Sequence, residues 1–334
     1  MSCNSYVSVI IPCAHDHKDL FKVVLALCEQ TMKPKEIIIV SCSPDGGKST
    51  PECLEICAAN NIQLIYKYTN LAFPGDARNI GLGLASGDYI AFIDVKTIPR
   101  SNWLEVSLKL IEENLVSGVL GATFFVAHAG FPRLIRDGFF GLLPRKTLPG
   151  SVFERNVFSK TGQFIEWVRA GEDTEWILRL EVLKIPIAYS SSPLLDYYGL
   201  EELNLNKLLK KWYRNYSASR ELPHFFPQKL LMRLVLYPLL VLLAFNWNYL
   251  IADWQIESPF YIGHITKIAA IVPLFIYCIT RGLILPSYRG VGFGQLLPIR
   301  FIMIVWICIL ADLVKITVFT FPNKFFIKSN RNIG

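Results

Sequence analysis

Apolar positions in the first 130 residues alternate between two periods. Val7 to Ile11 is a short β-branched run stopped by Pro12, the pattern of a buried strand. Leu20, Val23, Val24, Leu27 and Cys28 then recur at helical spacing. Glu36 to Val40 is a second apolar strand, ending in the turn residues Ser43-Pro44-Asp45-Gly46-Gly47. Thr50 followed by Pro51 reads as an N-cap with proline at the first helical position, opening a helix that runs to Asn60. The alternation continues with a strand at Gln63 to Tyr68, a helix at Pro74 to Ala85 and a strand at Tyr89 to Asp94. A helix at Asn102 to Asn114 and a strand at Val119 to Val126 complete it. This predicts an α/β fold, a mostly parallel sheet with helices on both faces. Ligands of such sheets bind beyond the carboxyl ends of the strands, where Pro12-Cys13, Ser41 to Asp45 and Asp94 to Thr97 fall.

The pattern then changes. Phe131 to Gly150 reads as a loop carrying Arg133, Arg136, Arg145 and Lys146 among aromatic residues, either membrane-facing or plain surface. Leu205, Leu208, Leu209, Trp212 and Tyr216 follow helical spacing, with Lys207, Lys210, Lys211 and Arg214 on other faces. That is a basic amphipathic helix over about 203–217, suited to the headgroup plane or to packing on the domain. Three apolar stretches follow, Leu230 to Leu250, Ile265 to Leu285 and Phe301 to Phe321, each long enough to cross about 30 Å of hydrocarbon. The expected organisation is a cytosolic domain over 1–220, a membrane region over 230–321 with two to three hydrophobic helices, and a basic tail over 322–334.

Trp247, Tyr249, Trp254 and Tyr288 flank the apolar stretches as interfacial aromatics do. The Lys and Arg residues before the first stretch, the acidic Asp253 and Glu257 after it, and Arg289 and Arg300 after the second agree with a multi-pass protein whose N-terminal domain faces the cytoplasm. Three crossings, however, would put Lys324, Lys328 and Arg331 on the opposite side, so either one stretch is re-entrant or interfacial or the charge rule is weakly violated. Asp312 and Lys315 are expected to neutralise each other on one helix face.

Composition sharpens this division. An apolar content of 52% and a mean hydropathy of +0.36 exceed those of an ordinary soluble domain, and the excess lies after Leu230. Met1 to Val7 has no basic segment leading into an apolar one, so no signal peptide is expected. The net charge of +7 crowds beside the hydrophobic segments, which points to anionic lipid and away from nucleic acid. The eight cysteines form no C-x-x-C pair and read as reduced, packed thiols. His15 and His17 around Asp16 read as a polar loop.

Chemistry enters at Pro74-Gly75-Asp76-Ala77-Arg78-Asn79-Ile80-Gly81, which continues through Ser86-Gly87-Asp88 to a strand ending at Asp94, and at Gly171-Glu172-Asp173 followed by Trp176 and Arg179. With Arg155-Asn156-Val157-Phe158 and Gly162-Gln163-Phe164 between them, these motifs resemble the family 2 glycosyltransferases, in order, over residues 6 to 216. The resemblance implies a GT-A fold, a nucleotide-sugar donor and a lipid-linked or cell-surface glycan acceptor. It implies Glu172 and Asp173 as the catalytic pair, with Asp173 the general base. It also implies Asp94, with Arg78 and Asn79, in the donor site; the strand-end position adds Pro12 and Cys13, and Asp45 and Lys96 are further donor-site candidates that depart from the family pattern.

Sugar transfer from a nucleotide needs a base for the acceptor proton and positive charge for the departing diphosphate. The family usually supplies that charge as Mg²⁺ or Mn²⁺ on a D-x-D motif. Here the motif is Asp94-Val95-Lys96, which leaves Asp94 as the one expected metal ligand and an ammonium where the second carboxylate would stand. A unit charge about 4 Å from a phosphate oxygen contributes about 4 kcal/mol at an effective dielectric of 20, and a divalent ion about twice that, so Lys96 is expected to substitute in part. Val40-Ser41-Cys42-Ser43 lacks the family's base-reading aspartates, a second departure. Two alternatives stay open: transfer to polyprenyl phosphate, with the basic loop Arg133 to Lys146 receiving the phosphate, and a non-catalytic nucleotide-sugar-binding scaffold.

Overall fold

A computed structural model of the chain describes residues 6–14, 19–43, 50–70, 72–220, 222, 239 and 241–320. Asp45, the His15-Asp16-His17 loop, the basic tail and residues 230–238 and 240 of the first apolar stretch lie outside the described residues. Five strands with intervening helices open the chain: β1 (Val7–Cys13), α1 (Leu20–Cys28), β2 (Glu36–Ser41), α2 (Thr50–Ala59), β3 (Gln63–Tyr68), α3 (Pro74–Leu84), β4 (Tyr89–Phe92) and β5 (Thr97–Pro99). Then come α4 (Trp103–Asn114), β6 (Gly118–Phe125), α5 (Gly130–Ile135), β7 (Arg145–Glu154), α6 (Asn156–Thr161), α7 (Glu172–Val182), β8 (Ile187–Tyr189), β9 (Leu195–Tyr197) and α8 (Leu205–Ser219).

The sheet order is β3-β2-β1-β4-β7-β6-β9-β5, with β8 also paired to β6. β3, β2, β1 and β4 run parallel, as the alternation predicts. Because β2 and β4 flank β1 on opposite sides, their carboxyl ends diverge there and leave a crevice beyond Cys13. The two-residue period of β1 divides the core. Val7, Val9 and Ile11 pack with Val24, Leu27 and Trp103 on one face, and Ile10 packs with Phe92, Phe153 and Trp176 on the other. The motif glycines have packing reasons: a Cβ on Gly75 would meet the Ile165 carbonyl, and one on Gly81 would meet the Ile10 side chain.

The segment expected as a loop, Phe131 to Gly150, is instead α5, a π turn over Arg136–Phe140 and most of β7. β7 inserts antiparallel between β4 and β6, so the second half of the sheet is mixed. Pro132, Pro144, Pro149 and several glycines interrupt its periodicity, and Gly150, at φ +84°, sits under the Leu195 side chain. Two of its expected phosphate-receiving arginines, Arg133 and Arg136, face an acid. Asp137, buried, lies 2.8 Å from Arg136, 3.8 Å from Arg133 and 3.7 Å from Arg300.

Beyond α8, two helices among the described residues are long and apolar enough to cross a membrane: α9 (Ile265–Tyr288) and α10 (Ile299–Phe319). The α8 face carrying Leu208 and Trp212 packs inward. Leu208 shares a cluster with Leu134, Leu283, Ile304 and Ile307, and Trp212 lies 5.2 Å from Phe139. The expected Asp312–Lys315 pair does not form. The Tyr277 hydroxyl donates to Asp312 at 2.7 Å and Arg281 lies 3.3 Å from it, because α9 packs against that face of α10 while Lys315 points toward α8.

Candidate active site

The crevice at the ends of β1, β2 and β4 opens into a cleft of ≈ 760 Å³, a size suited to a small-molecule ligand. Its floor comes from Pro12, Cys13, Val40 and Cys42, one wall from Arg78, Asp94, Glu172 and Asp173, and the facing wall from α8 and the end of α10.

Arg78 organises the acidic wall. Almost wholly buried on α3, it donates to Glu172 Oε1 at 2.7 Å and to Asp94 Oδ1 at 3.2 Å. Burial alone would lower its pKa, but Asp94, Glu172 and Asp173 more than offset that and raise it. Burial pushes the Asp94 carboxyl up against the opposing pull of Arg78, with Asp173 adding to the rise. Glu172 is raised by burial in the same way. Asp94 keeps 38% of its side chain open to the cleft, whereas Glu172 keeps 5%. Glu172 therefore holds Arg78, and Asp94 and Asp173 face the cleft. The Thr174 amide, in the first turn of α7, donates to Asp173 Oδ1 at 2.7 Å and fixes the carboxylate's orientation.

Asn79 corrects an expectation. It donates to the Phe164 carbonyl and accepts from the Phe164 amide, both at 2.9 Å, and does not line the cleft. Its carboxamide matches one backbone donor and acceptor at once, so it straps the segment that leads into α7. Phe92, Phe153, Phe158 and Phe164 pack around Trp176 and back that helix rigidly.

Lys96 lines the cleft in the turn after Asp94, and its ammonium lies 2.6 Å from Glu202. Three cations that sequence reasoning did not assign to the site join it: Arg169, and Lys211 and Arg214 from α8. Among the described residues none of these three makes an ion pair. Burial, then Arg214 and Lys96, lower the Lys211 pKa against the pull of Asp94, and burial followed by Arg169 lowers that of Arg214. Cations crowded into one partly buried cleft, two of them with pKa values lowered first by burial and then by their neighbours, make an environment suited to an anion. The basic residues of α8 were legible in the sequence; that two of them look into a cleft was not. Tyr197, pushed up to about 12 by burial and then by Asp94 and Glu202, stays protonated as a donor.

A divalent ion held by the protein does not fit this donor set. Among the described residues no three His, Cys, Asp or Glu side chains are grouped to hold one, and the second D-x-D position presents an ammonium already paired with Glu202.

Residues 8–165 match the family model "Glycosyl transferase family 2". They form a family 2 glycosyltransferase domain. An uncharacterized glycosyltransferase of Rickettsia bellii is 28% identical over 155 residues, 46% of this chain and 20% of that protein. Glycosyltransferase GlyG of Streptococcus pneumoniae is 30% identical over 120 residues, 34% of this chain and 38% of that one. The chain thus spans well under half the length of these relatives. Among solved structures, the mannosyltransferase PcManGT of Pyrobaculum calidifontis, in complex with GDP-Man and Mn²⁺, aligns with a TM-score of 0.52 at 15% identity, over 94% of this chain and 88% of that one, a likeness of fold. The family match ends before Glu172, and the Arg78–Glu172 contact, 94 residues apart in sequence, is one of the links that join α7 to the matched region.

Proposed function

We propose that this chain is a membrane-attached glycosyltransferase that moves a sugar from a nucleotide-sugar donor to a lipid-linked or cell-surface glycan acceptor, inverting the anomeric centre. The observation that carries the reading is the pairing, across one cleft, of the carboxylates Asp94 and Asp173 with the crowded cations Lys96, Arg169, Lys211 and Arg214. The donor diphosphate lies against the cations and relieves their mutual repulsion. Asp94, held by Arg78, accepts from the donor's hydroxyls. Asp173 takes the proton of the acceptor hydroxyl as its oxygen attacks the anomeric carbon and the bond to the diphosphate oxygen breaks. Glu172 is a positioning residue that acts through Arg78.

In this account the protein's own cations carry most of the charge stabilisation. Asp94 is the one described residue of the motif that would hold Mg²⁺ or Mn²⁺, and such an ion would supply further positive charge. Excess chelator is therefore expected to slow turnover by less than about tenfold, about 1.4 kcal/mol of barrier. Complete loss with EDTA, restored by Mn²⁺, would overturn the role given to Lys96 and its neighbours.

A pH dependence follows from Lys211. Its pKa is lowered from 10.5, so in the free enzyme it loses its proton at a lower pH than an ordinary lysine. A bound diphosphate favours the charged form, so donor affinity is present at neutral pH and is lost as pH rises through that lowered value. The donor KM is expected to climb on the alkaline side below pH 10.5, and Lys211→Arg, which keeps its charge, is expected to flatten the climb. An unchanged profile in Lys211→Arg would remove Lys211 from the donor site.

A non-catalytic, nucleotide-sugar-binding scaffold is the second reading, motivated by Lys96 in the D-x-D position. The choice of acceptor is tested by supplying membranes with labelled donor and analysing the lipid extract. A lengthened lipid-linked oligosaccharide supports the reading above. A single sugar on polyprenyl phosphate would replace it with the simpler lipid acceptor.

A further inference from the structure

α10 passes every test of length and apolarity for a membrane-crossing helix, yet both of its ends are fastened to the catalytic domain. Near its start, Arg300 lies 3.7 Å from Asp137, and Ile304 fills the space beside Gly138. Near its end, the Lys315 ammonium lies 5.9 Å from the Tyr216 ring centre, Arg220 donates to the Val318 carbonyl at 3.1 Å, and Lys315 and Phe319 line the same cleft as Asp94. Arg300 and Val318 are about 27 Å apart along a helix rising 1.5 Å per residue, nearly the thickness of a bilayer's hydrocarbon. A crossing helix would put one of these anchor points on the far side of the membrane, and both belong to one domain.

The neighbouring helix excludes the remaining geometry. Contacts between α8 and α10 advance together, Leu208 sharing a cluster with Ile304 and Ile307, then Tyr216 with Lys315, then Arg220 with Val318, so the two helices run side by side and parallel. α8 carries Lys207, Lys210, Lys211 and Arg214 and cannot be immersed in hydrocarbon.

We propose that α10 does not cross the membrane but lies flat on the bilayer surface, its inner face packed on the catalytic domain and its outer face dissolved in the headgroup–acyl boundary. The inner face is Ile304, Ile307, Cys308, Ala311 and Val318, all buried. The outer face is a stripe of Ile299, Ile302, Trp306, Ile309, Leu313 and Ile316, exposed and spaced at helical repeats. Lipid is the fitting occupant. α9, long and apolar enough to cross a membrane, likewise exposes Ile268, Ile271 and Phe275, and the chain carries a net charge of +7 suited to an anionic surface. This arrangement leaves the end of α10, at Phe319, on the catalytic domain's side of the bilayer. It also places the cleft mouth at the bilayer surface. The inference concerns the helix's path and stands whether or not sugar transfer occurs.

Depth measurement tests it on the full chain, with native cysteines replaced by serine, in vesicles of phosphatidylcholine and phosphatidylglycerol. Spin labels on Ile299→Cys, Ile309→Cys and Ile316→Cys are compared by oxygen and nickel-chelate collision rates. These side chains are exposed, and Ile302→Cys and Leu313→Cys on the same stripe serve as replacements if one variant misfolds. A surface-lying helix gives nearly equal depths, about 5–10 Å below the headgroups, at all three positions. A crossing helix places Ile309→Cys about 15 Å deeper than Ile299→Cys and overturns the proposal. So does free access of the nickel chelate at all three sites, which means no lipid contact, or spin–spin broadening between labels, which means a second copy covers the face.

Discussion

Asp173→Asn is expected to lower kcat by about 10²-fold or more while leaving donor affinity within about twofold, because it removes a base and no binding contact. The substitution is conservative in geometry. Asparagine keeps an oxygen that can accept from the Thr174 amide, now 2.7 Å from Asp173 Oδ1, so the side chain stays aimed into the cleft. Steady-state kinetics paired with calorimetric donor binding checks this. A variant that still turns over at the parent rate would take the proton-abstracting role away from Asp173, and one that loses donor binding together with kcat would make it a binding residue.

Arg78→Met is expected to be the most destabilising single change in the site. Arg78 is buried, it is the ion-pair partner of Glu172, whose side chain is 5% exposed, and it also holds Asp94. Truncating one member of a buried pair strands the other's charge, at a cost of about 3–5 kcal/mol. At about 2–4 °C per kcal/mol, that is a fall of about 6–20 °C in Tm. Glu172→Gln, added to Arg78→Met, removes the stranded carboxylate and is expected to return part of the stability without returning activity, since Asp94 stays unanchored. Thermal unfolding in detergent, followed by tryptophan fluorescence, reads both steps. If the double variant is no more stable than the single one, Glu172 is not the charge that Arg78 neutralises.

The parallel half of the fold was legible because β1, β2 and β4 are short apolar runs closed by Pro12, the Ser43 turn and Asp94, and each local pattern agrees with the tertiary outcome. β7 was not, because prolines and glycines between Phe131 and Gly150 hide the two-residue period, and its partners β4 and β6 are distant in sequence. The site divides in the same way. Asp94, Arg78 and Asp173 could be found from motifs, and the cleft does bring them together. Glu172 and Asn79 read as chemistry, and the structure shows them bonded to Arg78 and to the Phe164 segment, because a motif records that a residue type is required but not which way it faces. Lys211 and Arg214 were missed for a related reason. On a helical wheel a basic face next to apolar stretches looks the same whether it meets headgroups or a diphosphate, and only the packing of Leu208 and Trp212 inward turns it toward Asp94.

The most direct test of the central claim is to incubate membranes carrying the full chain with a panel of radiolabelled nucleotide sugars and to follow sugar in the lipid and glycan fractions together with free nucleotide. One donor is expected to yield a labelled product and an equimolar nucleoside diphosphate, and Asp173→Asn to lower both by about 10²-fold or more while still binding the donor. A donor that binds the parent chain tightly but is never consumed, under any acceptor fraction, would contradict it and leave a nucleotide-sugar-binding scaffold.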